Sequence, residues 1–140
     1  MSTDSPESFY DALASDYHLI FADWDASMAR QAAALNTIIE QTWGVGQGRT
    51  VLDAACGIGT QALGLAQLGY QVTGSDISAQ EIERAQREAA ARSVELELVV
   101  ADIRELPAAF PNRQFDVVLA CDNAVPHLLS DEDLLDAFRA

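Results

Sequence analysis

The sequence contains few cysteines, few basic residues and no long apolar run. Its two cysteines, Cys56 and Cys121, follow no metal-binding spacing, which argues against a disulfide scaffold and predicts no metal site. No run of about 18 apolar residues occurs, and the N-terminal segment is polar and acidic. We therefore expect neither a membrane span nor a signal peptide, and we expect a cytoplasmic protein.

Basic residues are strongly outnumbered, with 8 Lys and Arg against 22 Asp and Glu and a formal net charge of −14. Such a surface repels phosphate backbones and anionic lipids, which argues against nucleic acid or a membrane as a partner. Because 49% of the residues are hydrophobic, the chain has enough apolar material for one folded domain. A small molecule, cationic ones included, is the partner that this composition allows.

Residues 51–78 have the pattern of a strand, a glycine-containing turn, a helix and a second strand. Gly57 and Gly59 lie in the turn, Gly69 follows the helix, and Asp76 ends the second strand. Glycine just past a helix is a common stop signal because it adopts positive φ freely. The pattern predicts a βαβ unit with its ligand at the carboxyl ends of the strands.

Two further strands are predicted, at residues 95–100 and 115–120. A helix over 78–92 precedes the first of them and begins with a capping box formed by Ser78 and Glu81. The run at 115–120 is continuously apolar, which is typical of a strand covered on both faces. Right-handed crossovers then predict an α/β, Rossmann-like parallel sheet in the order 3-2-1-4 with flanking helices.

In that sheet the apolar strand 115–120 lies at an edge. An uncovered apolar edge invites aggregation, so we expect a longer protein whose later strands cover it, with a partner chain, in a homo-oligomer, as the alternative. Residues 1–48 lack any βαβ pattern and predict an N-terminal helical cap, or lid. Residues 49–140 then form an incomplete α/β core.

The glycine pattern alone leaves two cofactors open. Gly57, Gly59 and the later Asp76 fit the dinucleotide fingerprint, so a nicotinamide-dependent oxidoreductase is allowed. Asp53, at the end of the first strand, would repel a diphosphate but attract a cationic sulfonium. A carboxylate that only binds the amide groups of the turn is the alternative for Asp53. This favours S-adenosylmethionine over NAD, and a non-catalytic cofactor-binding protein is the third alternative.

Four segments, VLDAACGIGT, GYQVTGSDIS, ADIRELP and FDVVLACDNAVPHL, resemble the motifs of class I S-adenosylmethionine-dependent methyltransferases. Ala55 departs from the glycine that many members have. By the resemblance, the glycines line the methionyl part, Asp76 holds the ribose, and Asp102 accepts from the adenine amino group. The cofactor-binding residues that the motifs imply are Asp53, Ala55, Gly57, Gly59, Asp76, Ile77, Asp102, Ile103 and Cys121.

Residues 10–31 and 122–128 together resemble the glycine/sarcosine N-methyltransferase branch. The resemblance implies a lid carrying Tyr17, Trp24 and Arg30, with Arg30 pairing the methionyl carboxylate. It places Asn123 at the methyl-transfer centre with His127 nearby, and it implies a small amine such as glycine or sarcosine as acceptor. A structural role for His127 and a solvated Arg30 are the alternatives.

Overall fold

The computed structural model describes residues 5–122 and 124–140. The six α-helices of the described part are α1 (Pro6–Leu13), α2 (Trp24–Trp43), α3 (Thr60–Gln67), α4 (Ala79–Ala91), α5 (Leu106–Ala109) and α6 (Asp131–Arg139). Its strands are β1 (Thr50–Asp53), β2 (Gln71–Asp76), β3 (Glu97–Val100) and β4 (Val117–Leu119). Short 3₁₀ turns occupy Tyr17–Ile20, Ile103–Glu105 and Val125–His127.

The four strands form one parallel sheet in the order β3-β2-β1-β4, which confirms the predicted fold. Val51 of β1 lies opposite Val72 of β2 on one side and Val117 of β4 on the other. In a parallel sheet the carboxyl ends of all strands meet at one edge. The loops that follow β1, β2, β3 and β4 are therefore brought together there.

Apolar side chains cover both faces of the central strands. On one face Val51, Leu65 and Val72 pack in a cluster to which α2 and α3 contribute. On the other face Leu52 packs with Leu106 and Phe110. Burying a side chain of this size contributes about 1.5–3 kcal/mol, so these contacts hold the layers against the sheet.

The prediction that the strand at 115–120 is covered on both faces is wrong for the described residues. The strand is only three residues long, and the Val118 side chain is 58% exposed while Val117 is buried. β4 pairs with β1 on one side and has no strand on its other side among the described residues. In the part of the chain that the structure describes, β4 is therefore an edge strand with one buried face and one open face.

Helices α2 and α3 pack closely at Gly64, and we expect Gly64→Ala to destabilise the protein by about 1–3 kcal/mol. An added Cβ would lie 2.8 Å from the Ala32 Cβ and 3.0 Å from the Met28 carbonyl oxygen. Alanine stabilises a helix by about 1 kcal/mol relative to glycine. A lower free energy of unfolding of Gly64→Ala in urea would therefore show that the steric clash outweighs the gain in helix propensity. As a control, Ala32→Gly in the same chain should recover part of that loss. Greater stability of Gly64→Ala alone would contradict the close packing.

Candidate active site

A cavity of about 460 Å³ opens at the carboxyl edge of the sheet, within the roughly 300–1,000 Å³ of small-molecule sites. Its floor is the loop after β1, and the loops after β2, β3 and β4 form its sides. Tyr10 of α1 and Tyr17 of the first 3₁₀ turn also line it. N-terminal residues therefore cover part of a cavity that the α/β core builds.

The loop after β1 turns at glycines that adopt positive φ. Gly57 has φ 53° and Gly59 φ 98°, conformations that cost glycine little. A Cβ on Gly57 would lie 3.4 Å from a carboxyl oxygen of Glu81, so glycine keeps this gap open. Ala55 and Gly57 line the cavity, whereas Gly59 is the N-cap residue of α3 and does not line it.

Asp76, at the end of β2, holds this turn in place. Its carboxylate accepts from the Gly57 and Ser78 amides, both at 2.9 Å. Burial raises the pKa of Asp76, and the hydrogen bonds from backbone amides partly offset the rise. Each carboxylate oxygen retains acceptor capacity, and Asp76 lines the cavity. It can therefore accept hydrogen bonds from a pair of neighbouring hydroxyl groups.

Asp53 does not line the cavity. Its side chain is completely buried beneath the glycine turn, and neither carboxyl oxygen has a well-formed hydrogen bond among the described residues. Burial raises the pKa of Asp53 to about 7, although the amides of Ala55 and Ala62 partly counteract this. Asp53 is therefore not placed to contact a ligand in this cavity.

Glu81 was expected only to cap α4, and half of that expectation is wrong. Ser78 Oγ does accept from the Glu81 amide at 3.1 Å, but the Ser78 amide donates to Asp76 and not to Glu81. The Glu81 carboxyl instead lines the cavity, 2% exposed, with Oε1 unpartnered among the described residues. Burial, and then the charges of Asp76 and Asp11, raise its pKa to about 8.

Ile77, Asp102 and Ile103 all line the side of the cavity after β2 and β3. The Asp102 carboxylate is already engaged by Arg104, with Arg104 Nη2 2.6 Å from Oδ2. This hydrogen bond and ion pair lower the pKa of Asp102. An adenine amino group would therefore share Asp102 with Arg104, which itself lines the cavity.

The three residues predicted for the lid lie in different places. Tyr17 lines the cavity, and burial followed by the charge of Asp122 raises its pKa to about 12. Trp24 is buried in the core, where its indole N–H donates to Thr60 Oγ1 at 2.9 Å. Arg30 is exposed on α2 and does not line the cavity. Only Tyr17 is thus positioned to contact a ligand.

His127 lies at the cavity wall in the turn after β4, and Asn123 lies outside the described residues. The His127 Nε2 is 2.8 Å from the hydroxyl of Tyr10, a residue that sequence reasoning missed. The two rings also meet edge to face, with centroids 5.4 Å apart. This contact joins α1 to the loop after β4 across the cavity.

Cys121 and Asp122 follow β4 and line the cavity. Burial raises the pKa of Cys121 to about 11, so its thiol stays protonated. Asp122 has φ 58°, and its Oδ2 accepts from Gln61 Nε2 at 3.2 Å. Sequence reasoning missed Asp122. The signal was a repeated pattern, since an aspartate ends or closely follows each of the four strands.

Comparison with known proteins identifies the family. A model described as a methyltransferase domain matches residues 51–140, and the chain belongs to that family. It is also 34% identical over 122 residues to the uncharacterized protein Rv1403c of Mycobacterium tuberculosis, which covers 86% of this chain. The chain spans 44% of the length of that curated relative.

Solved structures share the fold of this chain. The PH0226 protein of Pyrococcus horikoshii is 28% identical, with a TM-score of 0.69 over 89% of this chain and 57% of that protein. An S-adenosylmethionine-dependent methyltransferase of Clostridium acetobutylicum is 21% identical, with a TM-score of 0.70 over 94% of this chain and 51% of that protein. The latter similarity concerns the fold. No helix in residues 5–122 or 124–140 combines the length and apolarity needed to cross a membrane.

Proposed function

We propose that this chain is the cofactor-binding part of an S-adenosylmethionine-dependent methyltransferase that acts on a small amine. The observation that carries the proposal is Asp76, which is fixed by the Gly57 and Ser78 amides at the carboxyl edge of a methyltransferase-family sheet. A carboxylate held in this way, with free acceptor capacity in a cavity, suits the two hydroxyls of a ribose.

The cavity fits the cofactor in shape and in charge. Asp76 would hold the ribose, Ile77 and Ile103 provide apolar surface for the adenine, and the backbone beside Gly57 leaves room for the methionyl part. When bound, S-adenosylmethionine supplies a methyl group already activated by its sulfonium. The protein's own contribution is to orient the acceptor and exclude water.

A dinucleotide fits less well. Asp76 and Asp122 line the cavity and form no ion pair with a basic side chain among the described residues, so their carboxylates would repel a diphosphate. Glu81 and Asp102 add little, because the pKa of Glu81 is about 8 and Asp102 is paired with Arg104. The same charges favour a cationic sulfonium and a cationic acceptor. Their balance therefore supports a methyltransferase over a nicotinamide-dependent oxidoreductase, while a cofactor-binding protein without catalysis is separated from it only by a turnover assay.

The amine acceptor, with glycine and sarcosine as the first candidates, rests on the resemblance of residues 10–31 and 122–128 and on the negative charge of the cavity. In this proposal residues 1–48 act as the lid, with Tyr17 and Tyr10 facing the ligand. Asn123 orients the acceptor by hydrogen bonding, and His127, tied to Tyr10, supports the loop beside it. Residues 49–140 form the cofactor-binding core.

Calorimetry separates the candidate functions. We expect S-adenosylhomocysteine and S-adenosylmethionine to bind with micromolar affinity and NAD to bind at least about a hundredfold more weakly, which corresponds to roughly 3 kcal/mol. A methyl-transfer screen over glycine, sarcosine and neutral alcohols then tests the acceptor class in the chain and in the longer protein. Tighter binding of NAD than of S-adenosylhomocysteine would refute the proposal.

A further inference from the structure

We propose that Asp122 binds the positively charged nitrogen of the methyl acceptor. This deepens the proposed function and rests on it. The residue is the acid that follows β4, and it faces the cavity shared by Gly57, Asp76 and Tyr17. The ligand class it selects is an alkylammonium ion.

Asp122 is held by Gln61 of α3, which is bonded in turn to α2. Gln61 of α3 donates from Nε2 to Asp122 Oδ2 at 3.2 Å and to the side-chain oxygen of Gln31 on α2 at 2.7 Å. Gln61 itself is 3% exposed. A buried amide nitrogen that is also bonded to Gln31 thus orients an otherwise exposed carboxylate. A residue other than glycine at φ 58° is also uncommon, so the backbone adds to this fixed placement.

The charge of Asp122 is directed into the cavity. No arginine, lysine or histidine forms an ion pair with it among the described residues. After burial, the charge of Asp122 is the next largest cause of the raised pKa of Tyr17. It also contributes to the raised pKa of Tyr10 and of Cys121. These three neighbours stay neutral, so they leave the carboxylate uncompensated.

The strand order places Asp122 at the acceptor end of the cavity. A nucleoside held by Asp76 and flanked by Ile103 would lie over β2 and β3, whereas Asp122 follows β4 on the far side of β1. The methionyl part and its reactive methyl would then extend towards β4. A carboxylate at this position would contact the acceptor, whereas Asp76 would contact the ribose.

A fixed negative charge suits both sides of the reaction. An ammonium acceptor and a sulfonium enter, and a methylated ammonium, a neutral thioether and one proton leave. The ammonium first gives its proton to solvent. The lone pair of the resulting neutral amine then forms the new N–C bond as the C–S bond breaks, and the electron pair of the C–S bond stays on sulfur. Because the acceptor nitrogen is cationic when it binds and again after it is methylated, Asp122 would compensate its charge in both of those states.

The test uses a ligand pair that differs at the reactive centre. Sinefungin carries an ammonium-bearing carbon where S-adenosylhomocysteine has its sulfur, so it presents a cation at the position of the transferred methyl. We expect Asp122→Asn to weaken sinefungin about tenfold in calorimetry, the loss typical of one charge-assisted contact, while S-adenosylhomocysteine changes by less than about twofold. Asp136→Asn, an exposed change on α6 outside the cavity, should alter neither affinity.

Asp122→Gly guards against a folding artefact, because glycine accepts φ 58° without strain and still removes the carboxylate. It should repeat the loss for sinefungin with unchanged thermal stability. An equal loss for both ligands, or no loss for either in both variants, would overturn the role of Asp122. If the unmodified chain fails to bind S-adenosylhomocysteine, the proposed function falls and this inference falls with it.

Discussion

Replacing Glu81 by glutamine is expected to make the ligand-free protein about 2–4 kcal/mol more stable at pH 8.5. The Glu81 carboxyl is 2% exposed and Oε1 has no partner among the described residues. Its pKa rises to about 8 because burial, Asp76 and Asp11 all disfavour the charged form. Above that pH the folded protein must keep a poorly compensated charge, which glutamine lacks.

The sign of the pH dependence follows from the raised pKa. Below the ordinary pKa of 4.5 the folded and unfolded states both hold the proton, so Glu81 favours neither. Between about 4.5 and about 8 only the folded state holds it, and stability falls as pH rises. Urea unfolding from pH 4 to pH 9 should therefore show the two proteins diverging across this window.

Glu83→Gln is the matched control for Glu81→Gln. Glu83 lies on the same helix, but its side chain is 67% exposed and pairs with Arg87 at 2.5 Å. Exposed pairs of this kind contribute about 0–1 kcal/mol. The free energy of unfolding of this variant should therefore depend on pH in nearly the same way as that of the unmodified protein. If the free energy of unfolding of Glu81→Gln also follows that of the unmodified protein across pH 4.5–8.5, the burial of Glu81 carries no electrostatic penalty. The slope that remains in Glu81→Gln above pH 4.5 should come mainly from Asp53 and Asp76, because burial raises the pKa of both carboxyls.

Sequence pattern predicted the fold because the relevant signals are local and repeated. Gly57, Gly59 and Gly69 mark a turn and a helix end through their backbone freedom, and all three have positive φ in the structure. The periodic apolar residues then leave few ways to pair four strands, and the observed order β3-β2-β1-β4 is the predicted one. Among the features of the sheet, only the burial of both faces of β4 was predicted wrongly for the described residues. Whether a face is buried depends on the elements that pack against the strand and not on the sequence of the strand itself.

Individual site residues were harder to predict because side-chain direction depends on contacts distant in the chain. Trp24 looked like a lid residue, yet it packs in the core beside Thr60. Glu81 matched a capping box, but the Ser78 amide donates to Asp76 and not to Glu81, and the glutamate faces the cavity. Tyr10 meets His127 across 117 positions of sequence. No local spacing encodes such a pairing.

The acids around the cavity have separate tasks in this reading. Asp53 lies beneath the turn, Asp76 holds its backbone, and Asp122 stands beyond β4. Asp76 and Asp122 face the cavity, one after β2 and the other after β4. Under the proposed function, this arrangement would let a chain with a net charge of −14 bind a cofactor and an acceptor that both carry positive charge, without attracting phosphate-rich competitors.

Replacing Asp76 by alanine is expected to weaken S-adenosylhomocysteine binding by at least about a hundredfold. The change removes the proposed acceptors for two ribose hydroxyls, and it also frees the Gly57 and Ser78 amides that now donate to the carboxylate at 2.9 Å. Calorimetry with S-adenosylhomocysteine measures the effect. Glu105→Ala, in the next loop but outside the cavity, is the control and should bind normally.

Loss of binding alone would not separate a ribose contact from a collapsed turn, so the ligand must be varied too. The unmodified protein should discriminate strongly between S-adenosylhomocysteine and its 2′,3′-dideoxy analogue, because only the former donates to Asp76. In Asp76→Ala the two ligands should bind equally, since the acceptor is gone whatever the state of the turn. If discrimination persists in the variant, the hydroxyls are held elsewhere, and the residue that carries the proposed function has been misidentified.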